Sequence, residues 1–253
     1  MKTLVIRLLL MCLFAPTPAQ LLAQSSRDEV RVAVASNFRA AATDLAARFE
    51  TLHDFDVVLA FGSTGKHYAQ IVNGAPFAVF LAADSERPRR LEQAGIGIAG
   101  TRFTYARGRL ALWSADPDLV RENDDVLRSG RFRHLAIANP SLAPYGRAAR
   151  ETLQTLGLWQ ATEPRLVVGE NVAQAFQFVS SRNAEVGLVA WSQVVRRRQG
   201  SWWRVPGEYH QPVDQQALQL DASNGATTFL EVLRGEHATA LIRAHGYGVT
   251  DDR

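Results

Sequence analysis

The sequence is poor in cysteine and in lysine. The shortage of cysteine excludes two kinds of structure, whereas the shortage of lysine excludes none. Cys12 is the only cysteine among 253 residues, so no disulfide can form within the chain, and a zinc site built from several thiolates is excluded. Lysine occurs only at positions 2 and 66, while arginine supplies the other 26 of the 28 basic residues. We attribute this imbalance to coding bias.

A strong excess of one charge is also lacking. The formal net charge is +3, with 21% charged and 47% hydrophobic residues, which is ordinary for a soluble globular protein. So small an excess gives no indication of nucleic-acid binding, and we expect no nucleic-acid partner. The length of 253 residues allows one large domain or two small ones with substantial cores.

Residues 1–23 have the pattern of a cleaved secretory signal peptide. Two basic residues precede an apolar run at 8–14, and small residues follow. The run is much shorter than the roughly 20 residues that a membrane-spanning helix requires. We expect cleavage near Ala23, with Ala19 as the alternative. Removal takes away the only cysteine and two positive charges, which lowers the net charge from +3 to +1. We therefore expect an exported, periplasmic protein.

Predicted strands and helices alternate along the rest of the chain in two blocks. In the first block the strands fall at 29–36, 56–61 and 77–83, and the helices at 37–50, 65–74 and 85–95. In the second block the strands fall at 109–115, 134–140, 165–170 and 186–192, and the helices at 145–159 and 171–183, before two short helices at 226–248. The sequence therefore predicts an α/β protein of two lobes, each with a mainly parallel sheet flanked by helices.

Small polar residues cluster where predicted strands give way to helices. Four such junctions occur, at 36–37, 62–65, 139–146 and 169–172. In open α/β sheets, ligands bind at the carboxyl ends of the strands, where the helices begin. Helix N-termini present free N–H groups and a partial positive charge, which bind anions. We therefore expect an anion site, and no junction carries an obvious catalytic cluster.

The segment GSTGK at 62–66 departs twice from the pattern of a nucleotide-binding loop. That pattern requires Gly five positions before Gly65 and Ser or Thr after Lys66, whereas Ala60 and His67 occupy these positions. Export also separates the protein from cellular ATP. We therefore expect no bound nucleotide, and we interpret Lys66 as a solvated residue of the first helical turn rather than as a ligand contact.

No arrangement of residues predicts an enzyme. The segment around Ser63 is one residue too short for the nucleophile elbow G-x-S-x-G, and the six histidines show no spacing typical of metal ligands. Asp84 could serve as a catalytic carboxylate or accept a hydrogen bond at a helix start, and we prefer the second use. We expect no catalytic residue, no metal site and no cofactor.

Five segments together resemble a known family. They are VAVASNFRAAATDLAARFE, GSTGKHYAQIVNGAPFAVFLAAD, IANPSLAPYGRAARETL, GENVAQAFQFV and NAEVGLVAWSQV. With them the chain resembles the periplasmic molybdate-binding proteins of ABC importers, the ModA family, over residues 30–248. The blocks GAPFAVFLAAD and NPSLAPYG are the most specific parts, whereas GSTG alone would be weak.

The resemblance implies a type II periplasmic-binding-protein fold, whose two lobes close by hinge motion on a tetrahedral oxyanion. We expect lobe 1 at 29–105 and 213–253 and lobe 2 at 106–212. The chain would cross between the lobes near 105–107 and return near 210–212.

The same resemblance implies an oxyanion site made of neutral hydrogen-bond donors. On lobe 1 these are the hydroxyl and amide of Ser36 and the loop residues Ser63 and Thr64. On lobe 2 they are the backbone N–H groups of Tyr145 and Val172. Such a site is chemically reasonable, because an oxyanion offers only acceptors and its burial is costly unless every oxygen is bonded.

One position departs from the family pattern. Some members carry a tyrosine in the last strand that reaches the anion, whereas the matching position here is Ala190. We expect the replacement donor to be the side chain of Asn37 or of Tyr145. For Asn37 an alternative stays open, in which its amide only caps the first helix.

These observations predict an extracytoplasmic solute-binding protein that captures molybdate or tungstate and delivers it to the membrane permease of an ABC importer. We expect a monomer. One alternative is a binding protein for another tetrahedral oxyanion such as sulfate. The alternative from a different class is a secreted hydrolase that uses Ser63 or Asp84.

Overall fold

A computed structural model of the protein describes residues 27–121 and 123–249. The predicted signal peptide at residues 1–23 lies outside the described residues. Within the part of the chain that is described, no helix has both the length and the apolar character that crossing a membrane requires.

The described residues form ten strands and ten α-helices. The strands are β1 (Asp28–Ala35), β2 (Phe55–Gly62), β3 (Val79–Ala82), β4 (Phe103–Gly108), β5 (Leu110–Ser114), β6 (Leu135–Ala138), β7 (Leu166–Gly169), β8 (Val186–Ala190), β9 (Ser201–Arg204) and β10 (Val213–Gln219). The helices are α1 (Arg39–Leu52), α2 (Thr64–Val72), α3 (Glu86–Gln93), α4 (Asp125–Ser129), α5 (Pro144–Thr155), α6 (Trp159–Thr162), α7 (Val172–Ser180), α8 (Trp191–Val194), α9 (Asn224–Arg234) and α10 (Glu236–Ala244). Short 3-10 turns occupy Ser36–Phe38, Glu163–Arg165 and Gly207–Tyr209.

The strands form two five-stranded sheets of the same design. The first has the order β2-β1-β3-β10-β4 and the second the order β7-β6-β8-β5-β9. In each sheet the first three strands are parallel and the other two pair antiparallel. The predicted architecture of two α/β sheets is confirmed, and both sheets are mixed. Because parallel strands end at one edge of a sheet, each parallel triplet brings its strand-to-helix junctions together.

Periodicity does not predict β4, β9 and β10, which supply most of the antiparallel pairing. The sequence of β10, VDQQALQ, carries three glutamines, and Gln215, Gln216 and Gln219 are all buried. A buried glutamine is tolerated when its amide is hydrogen-bonded, but a hydropathy pattern treats it as a surface residue. This strand is therefore invisible to a search for apolar alternation.

Each sheet packs its helices around a core of its own. On the first sheet α1 and α9 meet through Phe49 and Phe229, whose rings contact edge to face at 5.4 Å. On the second sheet α5 and α7 cover the parallel strands. The core of the second sheet also includes Ala35 and Ala83 from the first sheet. Apolar packing is therefore continuous across the cleft between the sheets.

The chain passes between the sheets twice. It leaves the first sheet at the end of β4 and enters the second at β5, so the passage lies at residue 109. It returns between β9 and β10, over residues 205–212. An isolated bridge between Arg107 and Gly248 holds the C-terminal segment against the first passage. The exact bounds of the two lobes stay a prediction.

Candidate functional site

Helix starts from both sheets converge on one small cavity between the sheets. Its volume is about 10 Å³, close to the least space that holds one water. The lining residues are Ala35, Ser36, Asn37, Gly62, Ser63, Thr64, Ala83, Ala143, Pro144, Tyr145, Asn171 and Val172.

All six residues that the sequence assigns to the site line this cavity. They are Ser36, Asn37, Ser63, Thr64, Tyr145 and Val172, and all are buried. None of the lining residues carries a charge. The structure thus brings the six residues together, while their roles toward a ligand stay predictions.

Three hydroxyl groups on the first sheet have protons that no described residue accepts. Ser63 Oγ caps α2 by accepting a hydrogen bond from the backbone N–H of Lys66 at 3.3 Å. Thr64 Oγ1 accepts one from the backbone N–H of Ala83 at 3.0 Å. Ser36 begins the turn after β1. Because each hydroxyl owns one proton, all three can still donate to a ligand.

The start of α5 leaves one backbone amide free on the second sheet. Pro144 is the first residue of this helix and has no N–H. The amides of Gly146 and Arg147 both donate to the carbonyl of Ala143, at 2.9 and 3.0 Å. The N–H of Tyr145, which lies between Pro144 and Gly146, has no acceptor among the described residues, and Tyr145 lines the cavity.

The start of α7 leaves a second amide free. Asn171 caps this helix, and its Oδ1 accepts hydrogen bonds from the amides of Ala173 at 3.0 Å and Gln174 at 3.2 Å. The N–H of Val172 is therefore the first-turn amide that remains for a ligand. The sequence analysis did not single out Asn171, although an asparagine just before a helix is a typical N-cap.

Helix dipoles, rather than charged side chains, act on the cavity, since no charged side chain lines it. Helices α2, α5 and α7 all begin there, and each helix start carries a partial positive charge. Burial raises the pKa of the Tyr145 phenol well above its ordinary range, and the neighbouring Tyr247 and Tyr105 raise it further. This phenol is therefore neutral at any working pH, and it adds no negative charge to the site.

The side chain of Asn37 is engaged within the protein. Its Nδ2 donates to Gln215 Oε1 at 2.9 Å and to the Tyr247 hydroxyl at 3.1 Å. It caps neither the first 3-10 turn nor α1, so the cap interpretation is wrong. Donation from this amide to a ligand stays a prediction, and it would require one of the two observed hydrogen bonds to be given up.

The position of the missing tyrosine lies outside the cavity. Ala190 is fully buried at the end of β8 and does not line the cavity. The hydroxyl of Tyr145, the other candidate donor, accepts a hydrogen bond from Gln215 Nε2 at 3.3 Å. It lies so close to Gly108 that a Cβ there would come within 2.2 Å of the hydroxyl oxygen. Its side chain thus reaches the hinge.

Contacts between the two halves close the mouth of the cavity. The backbone N–H of Gly65 donates to the carbonyl of Leu142 at 2.8 Å. Lys66 Nζ pairs with Glu170 Oε1 at 2.9 Å. The Lys66 side chain is 51% exposed and does not line the cavity. Lys66 therefore belongs to the rim of the closed cleft.

The candidate catalytic carboxylate, Asp84, and the nearby histidine, His67, both have structural partners. Asp84 Oδ1 accepts a hydrogen bond from the backbone N–H of Arg87 at 3.0 Å, and the carboxylate also pairs with the Arg87 guanidinium. His67 Nε2 contacts the carbonyl of Val34 at 3.2 Å, and burial lowers its pKa. Within the described residues, neither side chain hydrogen-bonds Ser63, and no group of three His, Cys, Asp or Glu is placed to hold a metal ion.

A much larger groove, of about 800 Å³, lies at the hinge. Three arginines line it, Arg107, Arg109 and Arg204, together with residues of the two passages between the sheets. It contains none of the helix starts described above. We assign the functional site to the small cavity, because hydroxyl and amide donors from both sheets converge there.

Comparison with known proteins agrees with this geometry. The family model for bacterial extracellular solute-binding proteins matches residues 30–248. The molybdate-binding protein ModA of Azotobacter vinelandii is 48% identical over 227 residues, which cover 87% of this chain and 90% of that protein. The protein of the same name from Rhodobacter capsulatus is 42% identical over 226 residues, which cover 88% and 89%. This chain belongs to the ModA family.

A solved structure supports the ModA-type fold directly. The periplasmic molybdate-binding protein of Azotobacter vinelandii superposes with a TM-score of 0.85 at 39% identity, covering 88% of this chain and 100% of that chain. The predicted family and fold are confirmed. In this ModA-family chain, three polar residues lie behind the cavity and hydrogen-bond Asn37: Gln215, Tyr247 and Ser192. The sequence does not predict them, because isolated polar residues between the two sheets leave no periodic pattern.

Proposed function

We propose that this protein binds molybdate in the cavity between its sheets and presents it to an ABC importer. The observation that carries the proposal is the convergence of unpaired neutral donors from both sheets on a cavity lined by no charged side chain. Two relatives named molybdate-binding protein, 48% and 42% identical to this chain, support molybdate as the ligand.

The donor set suits a tetrahedral dianion. The hydroxyls of Ser36, Ser63 and Thr64 approach from the first sheet, and the amides of Tyr145 and Val172 approach from the second. Each oxygen of the anion can then receive at least one hydrogen bond, which offsets the loss of hydration. A protonated anion would direct a hydrogen at a donor, so the same set discriminates against protonated forms.

Size completes the selectivity. Tungstate has the shape, charge and nearly the size of molybdate, so we propose that it binds equally well. Sulfate is smaller, and its oxygens would reach fewer of the donors once the cleft has closed. The sulfate-binding protein SubI of Mycobacterium tuberculosis has the same fold, with a TM-score of 0.70 at 12% identity. At that identity the likeness concerns the fold alone and carries no argument about the ligand. Sulfate remains the second candidate ligand because it is also a tetrahedral dianion.

Capture would couple to closure of two lobes, which we propose to divide at the two passages between the sheets, at residue 109 and over residues 205–212. The Gly65–Leu142 hydrogen bond and the Lys66–Glu170 ion pair join the two halves, so they would form only as the cleft closes. We further propose that the protein works in the periplasm as a monomer and that the closed form is what the permease recognises.

Thermal unfolding with a panel of oxyanions tests the proposal. Molybdate and tungstate should raise the melting temperature, and sulfate and phosphate should raise it much less. Ligand at about 100 times its dissociation constant adds roughly 2.7 kcal/mol to the free energy of unfolding. The double variant Ser36→Ala, Ser63→Ala serves as the control and should lose the shift. A shift with sulfate as large as that with molybdate would contradict the assignment.

A further inference from the structure

A buried side chain at the hinge connects the two halves of the cavity. Gln215 lies on β10 and is 0% exposed. Its Oε1 accepts hydrogen bonds from Asn37 Nδ2 at 2.9 Å and from the Tyr105 hydroxyl at 3.2 Å, and its Nε2 donates to the Tyr145 hydroxyl at 3.3 Å. Asn37 follows Ser36 at the end of β1 on the first sheet, whereas Tyr145 is the second residue of α5 on the second. One amide therefore links both sides of the site.

The backbone around Gln215 is shaped for this contact. The pairing of β10 with β4 shifts register between Gln215 and Gln216, which leaves Tyr105 as the extra residue on β4. Such a bulge redirects the side chain of the extra residue, and the Tyr105 hydroxyl donates to Gln215 Oε1. Gly108 at the end of β4 permits the close approach, because a Cβ there would meet the Tyr145 hydroxyl at 2.2 Å and Gln215 Nε2 at 2.9 Å. Any larger residue would displace the link.

The link also belongs to a wider network that leaves its groups little freedom. Asn37 Nδ2 donates at the same time to the Tyr247 hydroxyl, and that hydroxyl donates to the backbone carbonyl of Asn37 at 2.7 Å. Ser192, beyond the end of β8, donates to the same carbonyl at 3.1 Å. Bonds of this kind reinforce one another in a buried setting.

We propose that Gln215 is a positioning residue for anion capture, which holds Asn37 and Tyr145 at the spacing of the closed site. The role deepens the proposed function and rests on it. Gln215 does not line the cavity, so it acts through the two residues that do. Its loss should leave every donor present but less well placed, which weakens binding chiefly by speeding dissociation of the anion.

The test compares Gln215→Leu with Gln216→Leu. Gln216 is the next residue of β10, is also nearly buried at 8% exposure, and bonds Arg102 and Thr104 instead of the site. Both variants should lower the melting temperature without ligand. Titration with molybdate should show affinity lowered at least about tenfold in Gln215→Leu and unchanged in Gln216→Leu, with the loss in the dissociation rate by stopped-flow fluorescence.

A double-mutant cycle identifies the route of the effect. Tyr145→Phe removes the hydroxyl that Gln215 holds and keeps the packing of the ring. If Gln215 acts through this hydroxyl, the double variant should bind no more weakly than the weaker single variant. Losses of affinity that multiply would overturn the proposal, as would equal affinity in Gln215→Leu and Gln216→Leu.

The outcomes separate the two proposals. A parent protein that fails to bind molybdate overturns the proposed function. A parent that binds, with a Gln215→Leu variant that binds equally well, overturns only the role of Gln215. If Gln215→Leu does not fold, Tyr145→Phe decides alone, because it breaks the same link from the other end, and an unchanged dissociation rate then rejects the proposal.

Discussion

The two sides of the cavity offer the same chemistry by different means. Among the proposed donors, the first sheet carries the hydroxyl side chains of Ser36, Ser63 and Thr64, together with the Ser36 amide, whereas the second carries only main-chain amides, those of Tyr145 and Val172. A hydroxyl depends on the residue type, so a substitution removes it. An amide depends on the backbone, so almost any residue preserves it. The two sides should therefore respond differently to substitution of the residues that carry the donors.

On the second sheet, where the donors are main-chain amides, the residue types that matter are those next to the donors in the sequence. Pro144 brings no N–H of its own, and Asn171 engages the amides that follow Val172. These two residues leave one amide free at each helix start. The identities of Tyr145 and Val172 themselves matter for packing, since both side chains are buried.

The largest effect should come from the one substitution that removes a main-chain donor. Val172 is the first residue of α7, where proline is tolerated, and Asn171 before it is already extended, at φ −145° and ψ 172°. Val172→Pro deletes the N–H and places a ring carbon where the proton pointed. We expect affinity for molybdate, measured by calorimetry, to fall by more than about a hundredfold.

Two controls isolate the amide. Val172→Ala changes the side chain and keeps the N–H, so its affinity should stay within a few-fold of the parent. Asn224→Pro occupies the same first position in α9, after the cap Ser223, and it should bind like the parent. Near-parental binding by Val172→Pro would show that this amide does not contact the anion.

The hydroxyl side should give the next largest effects. Ser36→Ala and Ser63→Ala each remove one donor to a charged group, a loss of about 1.5–3 kcal/mol, which is roughly a tenfold to hundredfold weaker affinity. Ser63→Ala also removes the cap of α2, which should lower the free energy of unfolding by about 1 kcal/mol. Thermal unfolding without ligand measures the loss of the cap separately from the loss of the donor to the anion. If both variants had the melting temperature of the parent and bound molybdate with undiminished affinity, the two hydroxyls would not be donors to the anion.

The sequence predicts the helix starts at the site, but it does not predict the hydrogen bonds behind them. The helix starts and their polar residues are local patterns, and they are enough to place Ser36, Ser63, Tyr145 and Val172 around one cavity. The geometry behind them is not local. Gln215 meets Asn37 only because β10 returns to the first sheet late in the chain. No periodicity connects positions so far apart.

The fate of Asn37 shows the limit most directly. Its place at the first strand-to-helix junction suggests a ligand donor or a helix cap, and both are local interpretations. In the structure its amide bonds two hinge residues, Gln215 and Tyr247. A polar residue that lines a site can thus also bond the framework behind it, and only the structure reveals these long-range partners. Donation from the Asn37 amide to a ligand stays a prediction.

The rim charges should matter less than either set of neutral donors. Lys66 and Glu170 pair across the mouth while remaining 51% and 38% exposed, and exposed ion pairs contribute little. Lys66→Ala and Glu170→Gln should each weaken molybdate binding by less than tenfold, that is, by under about 1.4 kcal/mol. The effect should shrink further as salt is added. A thousandfold loss of molybdate affinity in Lys66→Ala would show that Lys66 contacts the anion directly and would contradict a site made only of neutral donors.

The smallest effect should concern the free energy of unfolding alone, and it should come from His67, which lies on the first sheet near the hydroxyl donors. His67 lies behind the Ser63 loop, where a Cβ on Gly62 would come within 2.9 Å of its Nε2. Burial lowers the pKa of this imidazole below its ordinary 6.5, with nearby Lys66 adding to the decrease. The unfolded chain therefore takes up a proton more readily than the folded protein, so the contribution of His67 is complete above pH 6.5 and declines as the pH falls below it.

The melting temperature of the ligand-free protein should accordingly decrease as the pH falls below 6.5, and it should decrease less in His67→Gln, which cannot take up the proton. The cavity itself has no titrating side chain in this range, because its one phenol stays neutral. Molybdate affinity at pH 6 and above should therefore change little in either protein. Parallel slopes of melting temperature against pH would show that His67 titrates alike in both states. An affinity that fell with the same pH dependence as the stability would instead show that the Ser63 loop loses its geometry before the protein unfolds, and would make the hydroxyl side the pH-sensitive half of the site.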